Sequence, residues 1–293
     1  MKVLVTGREG QLARSLVERA PQDIEIVTVG RPELDLELPE SIERAILDAA
    51  PDVVVNAAAY TGVDKAEDEP ERVFRINAKG AGEVAAAARR VRAPVIQIST
   101  DYVFDGRSSG SYVEESPTGP LNVYGRSKLA GEEAVRAANP DHVILRTAWV
   151  YSPFGRNFVK MIIAAAQNHD ALTVVDDQFG SPTSALNLAD GILSILDRWR
   201  GGVRAGLGET FHLAGSGTAS WYGFAEAIMA ECKRLGLPGA EVRPIRTADW
   251  PTKALRPANS ALDSSKFGRT YGYRAPDWRV SLRPVVERLA KSR

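Results

Sequence analysis

Two side chains with the spacing to move a proton, Tyr124 and Lys128, stand in the segment VYGRSKLAGEEA. Four residues apart on a helix, they share one face about one turn from each other. A lysine ammonium held beside a phenol favours the phenolate and draws the tyrosine below its usual pKa of ~10. Such a phenol gives a proton to a carbonyl oxygen, or takes one in the reverse direction. In a chain with 8 tyrosines the spacing alone is weak. Its company gives it weight. The strand-like run APVIQISTDYVFDG delivers two hydroxyls, Ser99 and Thr100, just ahead of a polar loop. Side chains alternate along a strand, so these two point to opposite faces.

A second signal sits at the N-terminus, where MKVLVTGREGQLARSLVERA runs Val3, Leu4 and Val5 into Gly7 and Gly10. A helical pattern follows at Leu12, Leu16 and Val17. Gly7 allows a tight turn out of a buried parallel strand. Gly10 lets backbone approach a pyrophosphate at the helix N-terminus, where unpaired N–H groups and the helix dipole favour negative charge. Ala13 takes the third small position, giving G-x-x-G-x-x-A, a relative of the usual dinucleotide fingerprint. Gly7, Gly10, Gln11 and Leu12 are the cofactor contacts expected here.

The elements that must position these groups alternate. Short Val/Ile runs predict strands at 2–6, 25–29, 52–56, 94–99 and 142–146, with helices between them at about 10–20, 40–50, 65–91 and 122–138. That is the βαβ signature of a parallel sheet. Beyond Arg146 the rhythm changes: NFVKMIIAAAQNH reads as a helix, LTVVDDQFGSPTS as strand and loop, and LNLADGILSILDRWR as a helix returning to the nucleotide domain. The expected fold is α/β, a Rossmann-type doubly wound parallel sheet with a smaller mixed α/β substrate lobe. Residues 1–149 and about 184–214 form the first unit. Residues about 150–183 and 215–293 form the second, with the segments interleaved.

Composition excludes several classes. Lys+Arg and Asp+Glu both number 37 in 293 residues, so no basic field points to nucleic acid or an acidic membrane. The single cysteine, Cys232, excludes an internal disulfide framework and suits a reducing, cytoplasmic setting. No apolar run approaches the length of a membrane span, and no signal peptide is evident before the first strand. His142, His169 and His212 are scattered without zinc-site spacing, and no metal site is named. His142 and His212 fall in strand patterns and read as structural. Glu114 and Glu115 read as a solvated loop.

The segments TGREGQLA, PDVVVNAAAYTGVDKAE, STDYVFDG, NVYGRSKLAGE, LRTAWVY, GRNFV, DQFGSPT and RPANSALDSSKF occur in consistent order from residue 5 to about residue 267. Together they resemble the extended short-chain dehydrogenases/reductases and, among them, the dTDP-4-dehydrorhamnose reductase family. The resemblance implies hydride transfer from a nicotinamide to the C4 ketone of dTDP-6-deoxy-L-lyxo-4-hexulose. The product would be dTDP-L-rhamnose for surface polysaccharide. Tyr124 would deliver the proton and Thr100, rather than Ser99, would hydrogen-bond the same oxygen. Lys128 would bind the nicotinamide ribose and tune the phenol.

Asp35 and Leu36 would flank the adenine, and Ala58, Ala59, Tyr60 and Thr61 would line the nicotinamide side. Arg31 stands where an acid would favour NADH; an arginine there pairs with a 2′-phosphate, so NADPH is favoured with NADH as the alternative. Asp101 would accept from a sugar hydroxyl, with Val63 and Trp149 as walls of the sugar pocket. Arg256 would meet the pyrophosphate and Asn157 would hold substrate in the second lobe, with Gln178, Ser181 and Thr183 shaping the base or ribose site. A homodimer and a divalent-ion requirement stay open. So do two other readings: another nucleotide-sugar reductase, epimerase or dehydratase, and a non-catalytic dinucleotide-binding regulatory subunit. A dehydratase would need an added acid–base pair near Thr100, where only Asp101 stands. A regulatory subunit has no use for a tuned phenol.

Overall fold

The computed structural model describes residues 1–291. The first half alternates as expected: β1 (Lys2–Thr6), α1 (Gln11–Arg19), β2 (Glu25–Val29), α2 (Pro39–Ala49) and β3 (Val53–Asn56). Next come α3 (Val63–Ala66), α4 (Pro70–Phe74), α5 (Ala81–Arg90), β4 (Val95–Thr100), α6 (Val123–Ala138) and β5 (His142–Thr147). The second half is more broken, with β6 (Val150–Tyr151), α7 (Phe158–Ala165), β7 (Ala171–Val175), β8 (Phe179–Gly180), β9 (Thr183–Ser184) and α8 (Ala185–Arg200). It ends with β10 (Glu209–His212), β11 (Ala219–Ser220), α9 (Trp221–Arg234), β12 (Glu241–Ile245), α10 (Ser265–Tyr271) and α11 (Trp278–Lys291).

Six strands form one parallel sheet in the order β10-β5-β4-β3-β1-β2. Val3, Leu4 and Val5 are fully buried, as are Val54 and Val55. Such strands read as continuous apolar runs because a parallel sheet is covered on both faces. One cover joins α1 and α8 through Leu16, Ile192 and Ile195; the other joins α2 and α5 through Ile42, Ile46 and Val84. A third apolar cluster, with Tyr151, Ile163, Phe224 and Trp278, gathers α7, α9 and α11 and also buries Cys232.

One local difference from the sequence reading has a physical cause. The helix expected over 65–91 is interrupted: Pro70 opens α4 after a break at 67–69, and Arg75–Gly80 is a π-helical turn leading into α5. At the sheet edge, Phe267 and Tyr271 of α10 pack against Phe211 of β10.

Helix α6 is the element that matters most for position. Asn122 caps it by accepting from Gly125 N at 2.8 Å. A Cβ at Gly125 would stand 2.2 Å from Tyr102 O, and one at Gly131 2.2 Å from Asn77 O. The helix therefore lies with its backbone directly against the turn after β4 on one side and the π turn on the other. Farther along, Glu132 is fully buried and receives Arg146 of β5 in a two-pronged pair at 2.9 and 2.8 Å. Ser99 of β4 donates to the same carboxylate at 2.6 Å, and Arg136 approaches it at 3.1 Å. Replacing one member strands a buried charge, so Arg146→Met is expected to lower unfolding free energy by about 3–5 kcal/mol, read from urea denaturation followed by circular dichroism.

Candidate active site

The carboxyl ends of the strands open into one cavity of about 1210 Å³. That exceeds the usual ~300–1,000 Å³ of a small-molecule site and suits two ligands end to end. Its floor begins at Gly7, whose φ of 88° and whose approach to Ala58 (3.3 Å from a built Cβ) leave no room for a side chain. Gly10 opens α1 without a side-chain cap, so the first amides of the helix face the cavity unpaired. A ladder of polar side chains fixes the strand ends beside it. Thr6 donates to Asn56 at 2.6 Å, Asn56 donates to Gln97 at 2.8 Å, and Thr6 accepts from Ala58 N at 3.0 Å.

All the residues expected to touch a dinucleotide line this one cavity. Gly7, Gly10, Gln11 and Leu12 form one wall; Arg31, Asp35 and Leu36 lie past β2; Ala58, Ala59, Tyr60 and Thr61 lie past β3. Arg8, which the sequence reading passed over, joins Arg31 there, paired with Glu33 at 3.2 Å. Two arginines beside the end of β2 suit a second phosphate. Asn77 was also missed. Its amide accepts from Tyr60 N at 2.8 Å and donates to Tyr60 O and to Ser127 Oγ, both at 3.0 Å, so the π turn clamps the Tyr60 loop to α6. A lone amide on the buried face of an apolar helix was the available signal.

Thr100, Tyr124 and Lys128 converge on the same cavity. Thr100 rather than Ser99 meets the phenol, because Ser99 points to the other face and bonds Glu132. The expected tuning of Tyr124 by Lys128 is not what this arrangement does. Burial pushes the phenol up to about 12, with Thr100 pulling it down and the Asp101 charge pushing it further up. The Lys128 ammonium donates to Ile98 O at 2.6 Å instead, and burial draws it down to about 8 against the opposing charge of Glu132. The lysine is held at the edge of the cavity with donors to spare, as a ribose ligand requires.

On the substrate side, Asp101 and Trp149 line the cavity. Trp149 has a positive φ of 44°, stacks on Trp221 with ring centroids 3.4 Å apart, and leaves no space for a Cβ at Gly180. It is a fixed, flat wall. Val63 begins α3 outside the cavity. Asn157, expected to hold substrate, caps α7 by accepting from Lys160 N at 3.2 Å. Its amide also donates to Gln11 Oε1 at 3.0 Å, so it positions Gln11 across the lobes.

Arg256 is committed to Asp64 at 2.6 and 3.2 Å, and the same loop adds Lys253 to Asp68 at 2.6 Å. That loop straps the second lobe to α3. Gln178 donates to Thr247, Ser181 accepts from Leu262 N, and Thr183 accepts from Gly215 N. These three stitch the second lobe internally. Glu114 is not a solvated charge: half-buried, it accepts from His212 N at 2.8 Å. His142 and His212 are buried against carbonyls, as their strand positions implied. Among the described residues no cluster of three metal-ligating side chains occurs.

The family model of the RmlD substrate binding domain matches residues 1–291. A dTDP-4-dehydrorhamnose reductase of Sinorhizobium fredii is 48% identical over 286 residues, 98% of this chain and 97% of that protein. The crystal structure of a dTDP-4-dehydrorhamnose reductase from Clostridium acetobutylicum superposes with a TM-score of 0.91 at 37% identity, covering 99% of both chains. That from Bacillus anthracis, solved in complex with NADP, gives 0.89 at 32% identity over 98% of this chain and 99% of its own. A strand-end glycine turn, a Tyr-x-x-x-Lys face and a threonine meeting in one cleft thus lie in a chain that matches such proteins from end to end, and the chain belongs to the RmlD substrate-binding-domain family of dTDP-4-dehydrorhamnose reductases.

Proposed function

We propose that this protein reduces the C4 ketone of dTDP-6-deoxy-L-lyxo-4-hexulose to give dTDP-L-rhamnose, with NADPH preferred over NADH. The convergence of Thr100, Tyr124 and Lys128 on the cavity that also holds the glycine turn carries the reading. The residues fit a dinucleotide: uncapped amides at the start of α1 for the pyrophosphate, bare backbone at Ala58 and Ala59, and a buried lysine for the ribose. Arg8 and Arg31 support the phosphorylated cofactor. When bound, the reduced nicotinamide supplies hydride to the ketone carbon.

The chain's own groups do the rest. Tyr124 passes its proton to the sugar oxygen as charge develops there, and a phenol raised to about 12 holds that proton until an alkoxide forms. Thr100 steadies the oxygen left behind. Trp149 gives the deoxy-hexose an apolar face.

Residues 1–149, about 184–214 and the α10 segment are proposed as the dinucleotide-binding unit, because their apolar side chains belong to the two clusters that cover the sheet. The remainder, gathered on the third cluster, is proposed as the substrate lobe. The setting that goes with this reading is the cytoplasm, supported by one cysteine buried at Cys232, and the assembly that goes with it is a homodimer. Among the described residues no helix is long and apolar enough to cross a membrane.

Loss of NADPH absorbance with the enzymatically prepared 4-keto sugar nucleotide tests the activity, with other 4-keto sugars and NADH in parallel. Tyr124→Phe is expected to lower kcat by about 10²–10⁴-fold while leaving dinucleotide affinity, read by fluorescence titration, nearly unchanged. Arg31→Ala is expected to raise the KM for NADPH about tenfold or more with little effect on NADH. An equal change for both cofactors would remove the arginine from the 2′-phosphate site.

A further inference from the structure

Asp101 carries a buried titratable group that the steps above leave unused. Only 3% of the residue is exposed. Its Oδ1 stands 3.0 Å from Thr100 Oγ1. Its Oδ2 has no hydrogen-bond partner within bonding geometry; the Ser260 hydroxyl, which donates to Phe179 O at 3.4 Å, still lies close enough to pull the carboxyl down. Among the described residues no cation pairs with this carboxyl. Lys128, on the facing helix, donates to Ile98 O, and Arg256, on the strap, is held by Asp64. The other titratable neighbours are phenols, Tyr102 on the same turn and Tyr124 on α6. Burial without a counter-charge pushes the Asp101 carboxyl up to about 7, against the smaller downward pull of the Ser260 and Thr100 hydroxyls and of backbone amides.

A threonine hydroxyl has one proton to give. Thr100 Oγ1 accepts from Tyr102 N at 3.2 Å and stands between the Asp101 carboxyl and the Tyr124 phenol. An ionised carboxylate only accepts, so it draws the Thr100 proton to itself. A protonated carboxyl donates to Oγ1, and the threonine proton then turns toward the tyrosine oxygen. There it stabilises the phenolate that remains once Tyr124 has given up its proton. We propose that Asp101 is a positioning residue acting through Thr100: its protonated form aims the threonine hydroxyl at Tyr124, and its ionised form turns that hydroxyl away. The inference deepens the reductase reading and rests on it. Two effects then act in one direction, since an ionised Asp101 also places negative charge beside the phenol.

The test is kcat for reduction measured from about pH 5.5 to about pH 9, with the KM of the sugar nucleotide followed separately. The wild type should fall about tenfold in kcat around a midpoint near 7, with KM little changed. Asp101→Asn keeps the shape and a permanent N–H donor toward Thr100. Whatever its plateau, its kcat should lack that midpoint. Carbon-13 NMR of the aspartate carboxyls in the cofactor-free protein should show one signal titrating near 7 that is absent from Asp101→Asn. A midpoint near 7 that survives in the variant overturns the proposal. So does a variant silent at every pH, an effect confined to KM, or a carboxyl that titrates in the ordinary range. The NMR signal does not require turnover, so failure of the wild type to reduce this sugar would count against the function reading alone.

Discussion

The pairing of Glu132 with Arg146, sealed inside the protein, sets where the chemistry can happen. Tyr124, Lys128 and Glu132 follow one another at four-residue intervals along one face of α6. The third fixes the first two, because its carboxylate is gripped by Arg146 of β5 and by Ser99 of β4. Ser99 and Thr100 are neighbours on a strand, so the bond that spends one hydroxyl on the anchor leaves the other facing the phenol. A charge pair of this kind contributes little net stability over an apolar substitute, but it admits one register of helix against sheet. The catalytic spacing follows from that register.

The second constraint is the way the two lobes meet. Asn157 and Ser152 hold the Gln11 amide from the far side of the cleft, at 3.0 and 2.8 Å. The start of α1, which must present its amides to a pyrophosphate, is therefore positioned partly by the substrate lobe. The strap through Lys253 and Arg256 ties the opposite rim to α3. The cleft is in this sense built by segments from both halves of the chain.

Much of this was legible in the chain. The strands up to β5 were marked by Val/Ile runs that only a sheet buried on both faces requires, and the glycine turn and Tyr124–Lys128 face announced a dinucleotide reductase. What could not be read were consequences of tertiary contact. The electrostatics of Tyr124 ran against expectation because the phenol is buried, while the Lys128 ammonium is spent on the Ile98 carbonyl. Arg256 pairs with Asp64 and Asn157 with Gln11, contacts between residues so far apart in the chain that no spacing announces them. The role of Asn77 is visible only where the π turn places it against Tyr60.

The sheet is completed late. Its outer strand β10 is made from residues 209–212 and is covered by residues 265–271, whereas β5, its neighbour, ends at residue 147. A chain emerging from the ribosome therefore carries β5 as an open edge while more than sixty intervening residues are still being made. Open parallel edges of this sort invite mispairing, and contacts this distant in sequence form slowly. The amino-terminal half, although it holds the whole catalytic set, is thus not a detachable module: a gene cut before residue 209 would release an unfinished sheet rather than a smaller enzyme.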